Sequence, residues 1–276
     1  MPAMPRTPQS DQRRGATAKV TGERVATPTG GFNTTWQRHV AAYLLCEPFL
    51  PSAESATAGK VLDLGCGVGH SYHLLEPRET VGVDIDPQAL AGQQRETVVA
   101  DMRELPFADR SFSSLLAVHS LEHVPDPERV IAEAGRVIEP GGIAIFVTPN
   151  RLTFGRPDEI IDPYHFVEFD PGELRALCAT GFDDVEVRGI FGSAAYMRIF
   201  DADRVELDRL LGRDPLRLRR LVPRSGRQWL YDTLLRRRRT DEDPEAEAIA
   251  PTDFFLAGNG LDAALDLCAF CRRPAR

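Results

Sequence analysis

The sequence predicts an α/β protein: a doubly wound, mainly parallel sheet with helices on both faces. Three observations predict it. Between residues 58 and 192, strand-like apolar runs alternate with helix-like segments. Pro, Gly and Asp punctuate their boundaries. The first strand, in "VLDLGCGVGH" (61–70), breaks into three glycines at alternate positions, the kind of strand-to-helix turn that cradles a ligand.

Taken in order, "NTTWQRHVAAYLLCEPFL" (33–50) reads as an amphipathic helix. Asn33 or Thr34 would cap it, and Trp36, Val40, Tyr43 and Leu44 would share one face. "KVLDLG" is a first strand and "HSYHLLE" a short helix. "TVGVDID" is a second strand, and "PQALAGQQ" a helix with Pro87 at its first position behind an Asp86 cap. "ETVVAD" and "SFSSLLAV" are strands three and four, "DPERVIAEAGRVI" a helix, "EPGG" a turn and "IAIFVTP" strand five. "DPGELRALCATGF" is the next helix and "DDVEVRGIF" strand six. Residues 193–250 then form an Arg-rich helical insertion with an acidic linker, and 251–276 return a last strand through "LDAALDLCAFCRRP". Ahead of the 58–192 core stand a disordered tail (1–20), rich in Pro, Thr, Gly and Arg, and an arm with the first helix (21–57).

The 276 residues suffice for one substantial domain with an appendage, and a net charge of −8 does not point to nucleic acid. No apolar run approaches the roughly 20 residues of a membrane span, and the N-terminus has no apolar leader. Of the 33 basic residues only Lys19 and Lys60 are lysines, which reads as codon usage in a GC-rich genome. Cys268 and Cys271 form a C-x-x-C inside a strand-like run, where residues three apart face opposite ways, so neither a redox pair nor a metal clip is expected. A reduced, cytoplasmic protein fits best.

The glycine turn discriminates among ligands. A nucleoside triphosphate loop would end in Gly-Lys-Ser/Thr, and here His70 follows Gly69. The dinucleotide pattern G-x-G-x-x-G is replaced by G-x-G-x-G at Gly65, Gly67 and Gly69. Asp63, two positions upstream, would oppose a pyrophosphate but suits an ammonium group. Asp84, at the end of the second strand, is placed to grip ribose hydroxyls, and Asp101, after the third, to accept from an adenine amino group. A ligand with ammonium, ribose and adenine but no phosphate is S-adenosylmethionine.

With those residues in place, "VLDLGCGVG", "VGVDIDP", "ADMRELPF", "HSLEHVPDP" and "RVIEPGGIAIFVTPN" resemble the successive motifs of class I S-adenosylmethionine-dependent methyltransferases, in the small-molecule branch related to the type 11 domain. The resemblance covers about residues 58–192. It implies a Rossmann-like seven-stranded sheet of order 3-2-1-4-5-7-6 with strand 7 antiparallel. It also implies that Asp63, Gly65, Cys66, Gly67 and Gly69 border the methionine end, Asp84 and Ile85 the ribose, and Asp101 with Met102 the adenine. His119 would lie near the methionine moiety.

"HSLEH" (119–123) spells the H-x-x-E-H of zinc proteases. That reading needs one continuous helix and a third ligand, whereas this segment follows a strand and is closed by Pro125 and Pro127, so no metal is expected. The acceptor is expected against the long connection 150–171, with His165 as candidate general base and His123, Tyr164 and Glu168 as substrate-binding residues. His165 could equally serve only to fix its loop. His39, His70 and His73 read as structural or solvent-facing, and Arg24 as a residue the N-terminal arm could bring to the site.

The function expected is methyl transfer to a small-molecule, lipid or sugar acceptor at oxygen, with carbon and nitrogen as other acceptor atoms. A non-catalytic S-adenosylmethionine-binding regulator is the alternative, and an NAD-dependent oxidoreductase is disfavoured by the glycine spacing. Residues 201–239 hold twelve arginines against six acids. Their plain reading is a solvated helical cap. The sharper one is recognition of an anionic acceptor, or peripheral contact of 217–239 with the anionic inner face of a membrane, Trp229 and Tyr231 standing beside the 236–239 arginine cluster. Nucleic acid is not an expected partner, because no stacking platform accompanies the charge.

Overall fold

The computed structural model describes residues 33–52, 54, 59–154, 159–214, 217–239 and 243–274. The expected tail (1–20) and Arg24 lie outside them. Helix α1 (Asn33–Cys46) precedes strands β1 (Val61–Leu64) and β2 (Thr80–Asp84), the one-turn α2 (Pro87–Leu90), β3 (Glu96–Val99) and β4 (Phe112–Val118). Then come α3 (Pro127–Val137), β5 (Ile138–Pro149), α4 (Arg151–Phe154), α5 (Pro171–Cys178) and β6 (Asp184–Gly192). Helices α6 (Ala194–Gly212), α7 (Arg224–Arg239) and α8 (Pro244–Glu247) lead to β7 (Phe254–Ala257) and β8 (Asp266–Arg272).

One sheet runs β3-β2-β1-β4-β5-β8-β6-β7. The first five positions are parallel neighbours, and β8 inserts antiparallel between β5 and β6. The expected seven-strand order holds with β8 as its seventh strand. The correction is an eighth strand: β7 pairs antiparallel with Gly189–Gly192 of β6 at the sheet's edge. "FFLA" carries no strand pattern of its own, being only four residues long and close behind Pro251, but the end of β6 offers it an unpaired edge.

The central strands are buried on both faces, so the sheet feeds two cores. On one face Leu62, Leu64, Leu267, Ala269 and Cys271 pack with α3 and α5. On the other Val61, Leu116, Ile145, Cys268 and Phe270 pack with α1. Cys268 and Cys271 therefore sit on opposite sides of the sheet. Asp86 caps α2 through the Gln88 N–H at 2.8 Å, and Asp170 with Glu173 makes a capping box at α5.

Helix α1 is rotated from its expected setting. Leu44 is exposed, and Arg38, Ala41, Ala42 and Cys46 are buried. The cause is a tertiary ion pair: the Arg38 guanidinium bonds both Asp266 carboxylate oxygens, with Nε to Oδ2 at 2.7 Å, and the Leu265 carbonyl at 3.0 Å. Asn33, read as a cap, instead donates to the carbonyls of Ala246 (2.8 Å) and Ile249 (3.0 Å). These bonds seat α1 on the carboxyl-terminal part of the chain.

Candidate active site

A cavity of about 380 Å³ opens at the carboxyl ends of β1, β2 and β4, where strand order reverses and open α/β sheets bind ligands. The glycine loop forms its floor. Gly65 and Cys66 both donate to the Val83 carbonyl, at 2.8 and 2.9 Å, so the chain must turn at once. Gly65, Gly67 and Gly69 all have positive φ, which L side chains rarely tolerate. A Cβ on Gly65 would collide with Ser120, whereas one on Gly67 would meet nothing within 4 Å. Ser120 closes this corner by donating to the Leu64 carbonyl at 3.1 Å.

Two of the three expected acids line the cavity. Asp84 accepts from Gly67 N–H and Asp86 N–H, both at 2.9 Å, which fixes its carboxylate at the wall. Asp101 is gripped by Arg103, with Nη2 to Oδ2 at 2.7 Å, and this contact holds its carboxyl below the usual range. Ile85, 66 % exposed, and Met102 add apolar surface.

Asp63 is elsewhere. It is fully buried beneath the loop, accepting from Tyr43 Oη at 2.8 Å and Arg95 Nη2 at 2.6 Å, and it does not line the cavity. Burial pushes its carboxyl up, and Arg95 works against that push. The expectation that Asp63 meets a ligand ammonium is corrected. Its strand position aims it at α1, where a buried arginine needs a counter-charge. Gly69 does not line the cavity either; it packs on Gln93.

His39, Tyr43 and His70 do line it, and sequence reasoning missed them. The His39 ring lies 4.3 Å from that of His119, and His70 lies 4.6 Å from Trp36. Burial holds His39 well below the ordinary imidazole value and brings His70 to about 4. This wall is neutral, so it does not repel a sulfonium cation. The available signal was Trp36, His39 and Tyr43 at helical spacing on α1, whose facing only the Arg38 anchor reveals; His70 comes from the glycine loop. Burial also pushes the Cys66 thiol up to about 12, leaving it protonated and a poor nucleophile beside an electrophilic methyl.

At the far wall, His119 ends β4 with φ +49, a strained setting for a non-glycine residue. "HSLEH" is no continuous helix: Leu121–His123 make a single 3-10 turn. His123 and Phe166 line the cavity, but Tyr164, His165 and Glu168 do not. His165 is 8 % exposed and stands behind His123, with ring centroids 5.2 Å apart. Its Nδ1 lies 2.9 Å from Glu168 Oε1, so a base acting directly on an acceptor is not what its position supports. Glu122 is buried beside them. Burial opposes its ionisation, yet the surrounding His119, His123 and His165 bring its carboxyl down to about 2.

The insertion docks on this wall. Arg224 donates to the carbonyls of Pro163 (2.8 Å) and Tyr164 (2.9 Å) and stacks 3.6 Å from the Phe166 ring centroid. Tyr231 Oη donates to Asp162 Oδ2 at 2.9 Å, and Arg219 pairs with Glu159 at 2.6 Å.

The residues present fit S-adenosylmethionine. Its volume class matches the cavity, Asp84 and Asp101 offer two carboxylate acceptors along the wall, and the open backbone at Gly67 leaves room for close approach.

Known proteins agree. Residues 62–146 match the family described as a methyltransferase domain. A Mycobacterium tuberculosis protein named "Probable S-adenosylmethionine-dependent methyltransferase" is 29 % identical over 97 % of this chain and 94 % of its own length. The chloroplastic tocopherol O-methyltransferase of Arabidopsis thaliana is 32 % identical over 38 % of this chain and 34 % of its own. In fold, a Thermotoga maritima S-adenosylmethionine-dependent methyltransferase superposes with a TM-score of 0.53 at 17 % identity, over 88 % of this chain and 92 % of that one.

Proposed function

We propose that this chain, a class I S-adenosylmethionine-dependent methyltransferase, moves a methyl group to an oxygen atom of a small-molecule, lipid or sugar acceptor. Bound S-adenosylmethionine supplies a methyl already made electrophilic by its sulfonium. The protein's task is to hold an acceptor in line with that methyl and to exclude water. Asp84 and Asp101 orient the cofactor, and helix α1 covers the glycine loop through Tyr43 and His39.

The observation that carries the reading is the cavity's second wall. Beyond the cofactor residues it is lined by His123, Val124, Pro125 and Phe166, with the insertion bolted behind Phe166 by Arg224. This gives an acceptor an apolar slot with one polar corner. A relative that methylates a tocopherol oxygen supports oxygen as the acceptor atom and an apolar molecule as its carrier. Two carboxylates and the glycine loop beside an equipped second wall favour catalysis over the regulatory alternative.

The membrane reading of 217–239 has its own observation. Leu218, Leu221, Val222 and Trp229 are 57 %, 80 %, 43 % and 70 % exposed, within a stretch of nine arginines and one acid, Asp232. Exposed apolar side chains in so arginine-rich a stretch suit an anionic bilayer that stores a lipid acceptor. No described helix is long and apolar enough to cross a membrane.

The test is calorimetry with S-adenosylhomocysteine and NAD, followed by transfer of labelled methyl into a host metabolite extract. S-adenosylhomocysteine should bind and NAD should not. Asp84→Ala should weaken binding by about 1–3 kcal/mol through loss of a charged hydrogen-bond acceptor. Cofactor binding with no labelled product in any extract would favour the regulator, and equal affinity in Asp84→Ala would remove the ribose assignment.

A further inference from the structure

We propose that Glu122, His123 and His165 form a binding site for a divalent transition-metal ion of the Mn²⁺ to Zn²⁺ series, at the acceptor wall of the cavity. One ring nitrogen of each histidine and one Glu122 oxygen lie within 4.8 Å of one another. Two imidazoles with one carboxylate suit Mn²⁺, Fe²⁺, Co²⁺ or Zn²⁺ better than Ca²⁺ or Mg²⁺, which prefer all-oxygen sets.

The surroundings are those of metal ligands. Metal-bound imidazoles are held through their other nitrogen by a carboxylate or a backbone carbonyl. His165 Nδ1 lies 2.9 Å from Glu168 Oε1, and His123 Nδ1 lies 3.3 Å from the Tyr164 carbonyl. With Nδ1 so engaged, Nε2 is the nitrogen each histidine would offer an ion. Glu122 is steadied by Thr148, whose hydroxyl donates to Oε2 at 3.2 Å.

A second, independent observation is the charge balance. Glu122 and Glu168 are 1 % and 5 % exposed, and Glu168 Oε2 has no hydrogen-bond partner. Among the described residues no lysine or arginine pairs with either; the groups beside them that can carry positive charge are imidazoles, His119 at 3.6 Å from Glu122, His123 and His165. Asp162 Oδ2 adds a third carboxylate 4.0 Å from His165 Nε2. Buried carboxylates need a cation, and a divalent ion between them would supply it.

The sequence expectation of no metal rested on the lack of a continuous helix and of a third ligand for "HSLEH". The fold supplies that ligand from the connection after β5, where Phe166 N–H donates to the Glu122 carbonyl at 2.8 Å and draws the two segments together. Because His123 also lines the cavity, an ion here would meet an acceptor hydroxyl and lower its pKa. That role rests on the proposed methyl transfer to oxygen; the site itself does not.

The test uses the untagged full chain, stripped with a chelator and titrated with Zn²⁺ and Mn²⁺ by calorimetry and with Co²⁺ by visible absorption. One ion should bind per chain. Glu122→Gln and His123→Ala should abolish that uptake, and Glu168→Gln, which acts through His165, should weaken it about 10–100-fold. S-adenosylhomocysteine affinity in Glu168→Gln should equal that of the wild type, showing a folded chain. If the stripped wild type takes up none of the three ions stoichiometrically, or if the half-exposed His123→Ala variant binds as well as the wild type, the site is wrong. Metal-free chain that still transfers methyl and takes up no ion overturns the site alone. Ion uptake without methyl transfer to any acceptor overturns the activity alone.

Discussion

Replacing Asp63 by asparagine separates the two roles that sequence and structure assign to it. The side chains of Asp63 and Arg95 are 1 % and 5 % exposed, 2.6 Å apart, and Arg95 Nη1 has no partner. An amide removes the carboxylate paired with a buried guanidinium, and it can accept well from Tyr43 or from Arg95 but not from both. Removing one partner of a buried pair costs about 3–5 kcal/mol. At about 2–4 °C per kcal/mol for a chain somewhat smaller than this one, Tm should fall by roughly 6–20 °C. Cofactor affinity should change little, by less than about tenfold (1.4 kcal/mol), because Asp63 reaches the cavity only through Tyr43. Had Asp63 gripped the ligand's ammonium, affinity would fall by about 1.5–3 kcal/mol with Tm almost unmoved. Thermal melts and S-adenosylhomocysteine calorimetry on the same preparations read both quantities. Adding Arg95→Met should recover part of the lost stability, since the orphaned charge goes with it. A variant with wild-type Tm and strongly reduced affinity would refute the structural assignment.

Stability should fall in mild acid through His70. Burial lowers its folded value to about 4 from an unfolded value of about 6.5, so its contribution is full above pH 6.5 and is lost as pH drops through 4. The depression is worth roughly 3 kcal/mol. His70→Gln should flatten the fall in Tm between those limits, and parallel wild-type and variant curves would exclude the residue. Co-sedimentation with anionic vesicles should retain the protein at low salt and release it at high salt, each basic residue near the surface adding about 1 kcal/mol. Retention unchanged by replacing the four arginines 236–239 with glutamine, or absent altogether, leaves a solvated cap.

Most of the fold was legible because its signals are local. Glycines at alternate positions, apolar runs of strand length and proline after an acidic cap are set by backbone sterics and short-range hydrogen bonds, which act within a few residues. The same locality explains why Asp84 and Asp101 could be expected at the cavity: one ends β2 and the other follows β3, at the edge where parallel sheets bind ligands. Asp63 looked equivalent, but it lies within its strand, and strand alternation turns it toward α1. Strand β7 was missed because four residues carry too little pattern until the edge they pair with is known.

The sequence by itself determined the succession of strands β1 to β6, the position of the glycine loop, the cofactor class and the opposed faces of Cys268 and Cys271, and the family resemblance implied the order of the sheet. Tertiary structure alone decided which face α1 presents, because an arginine in an amphipathic helix reads as solvated until Asp266 is seen buried beneath it. It also decided that His39 and His70 line the cavity while His165 stands behind His123. That arrangement depends on the meeting of four chain segments: α1, the glycine loop after β1, the turn after β4 and the connection after β5. Their separation in sequence leaves no periodicity to read, so only packing and buried charge could bring them to one wall.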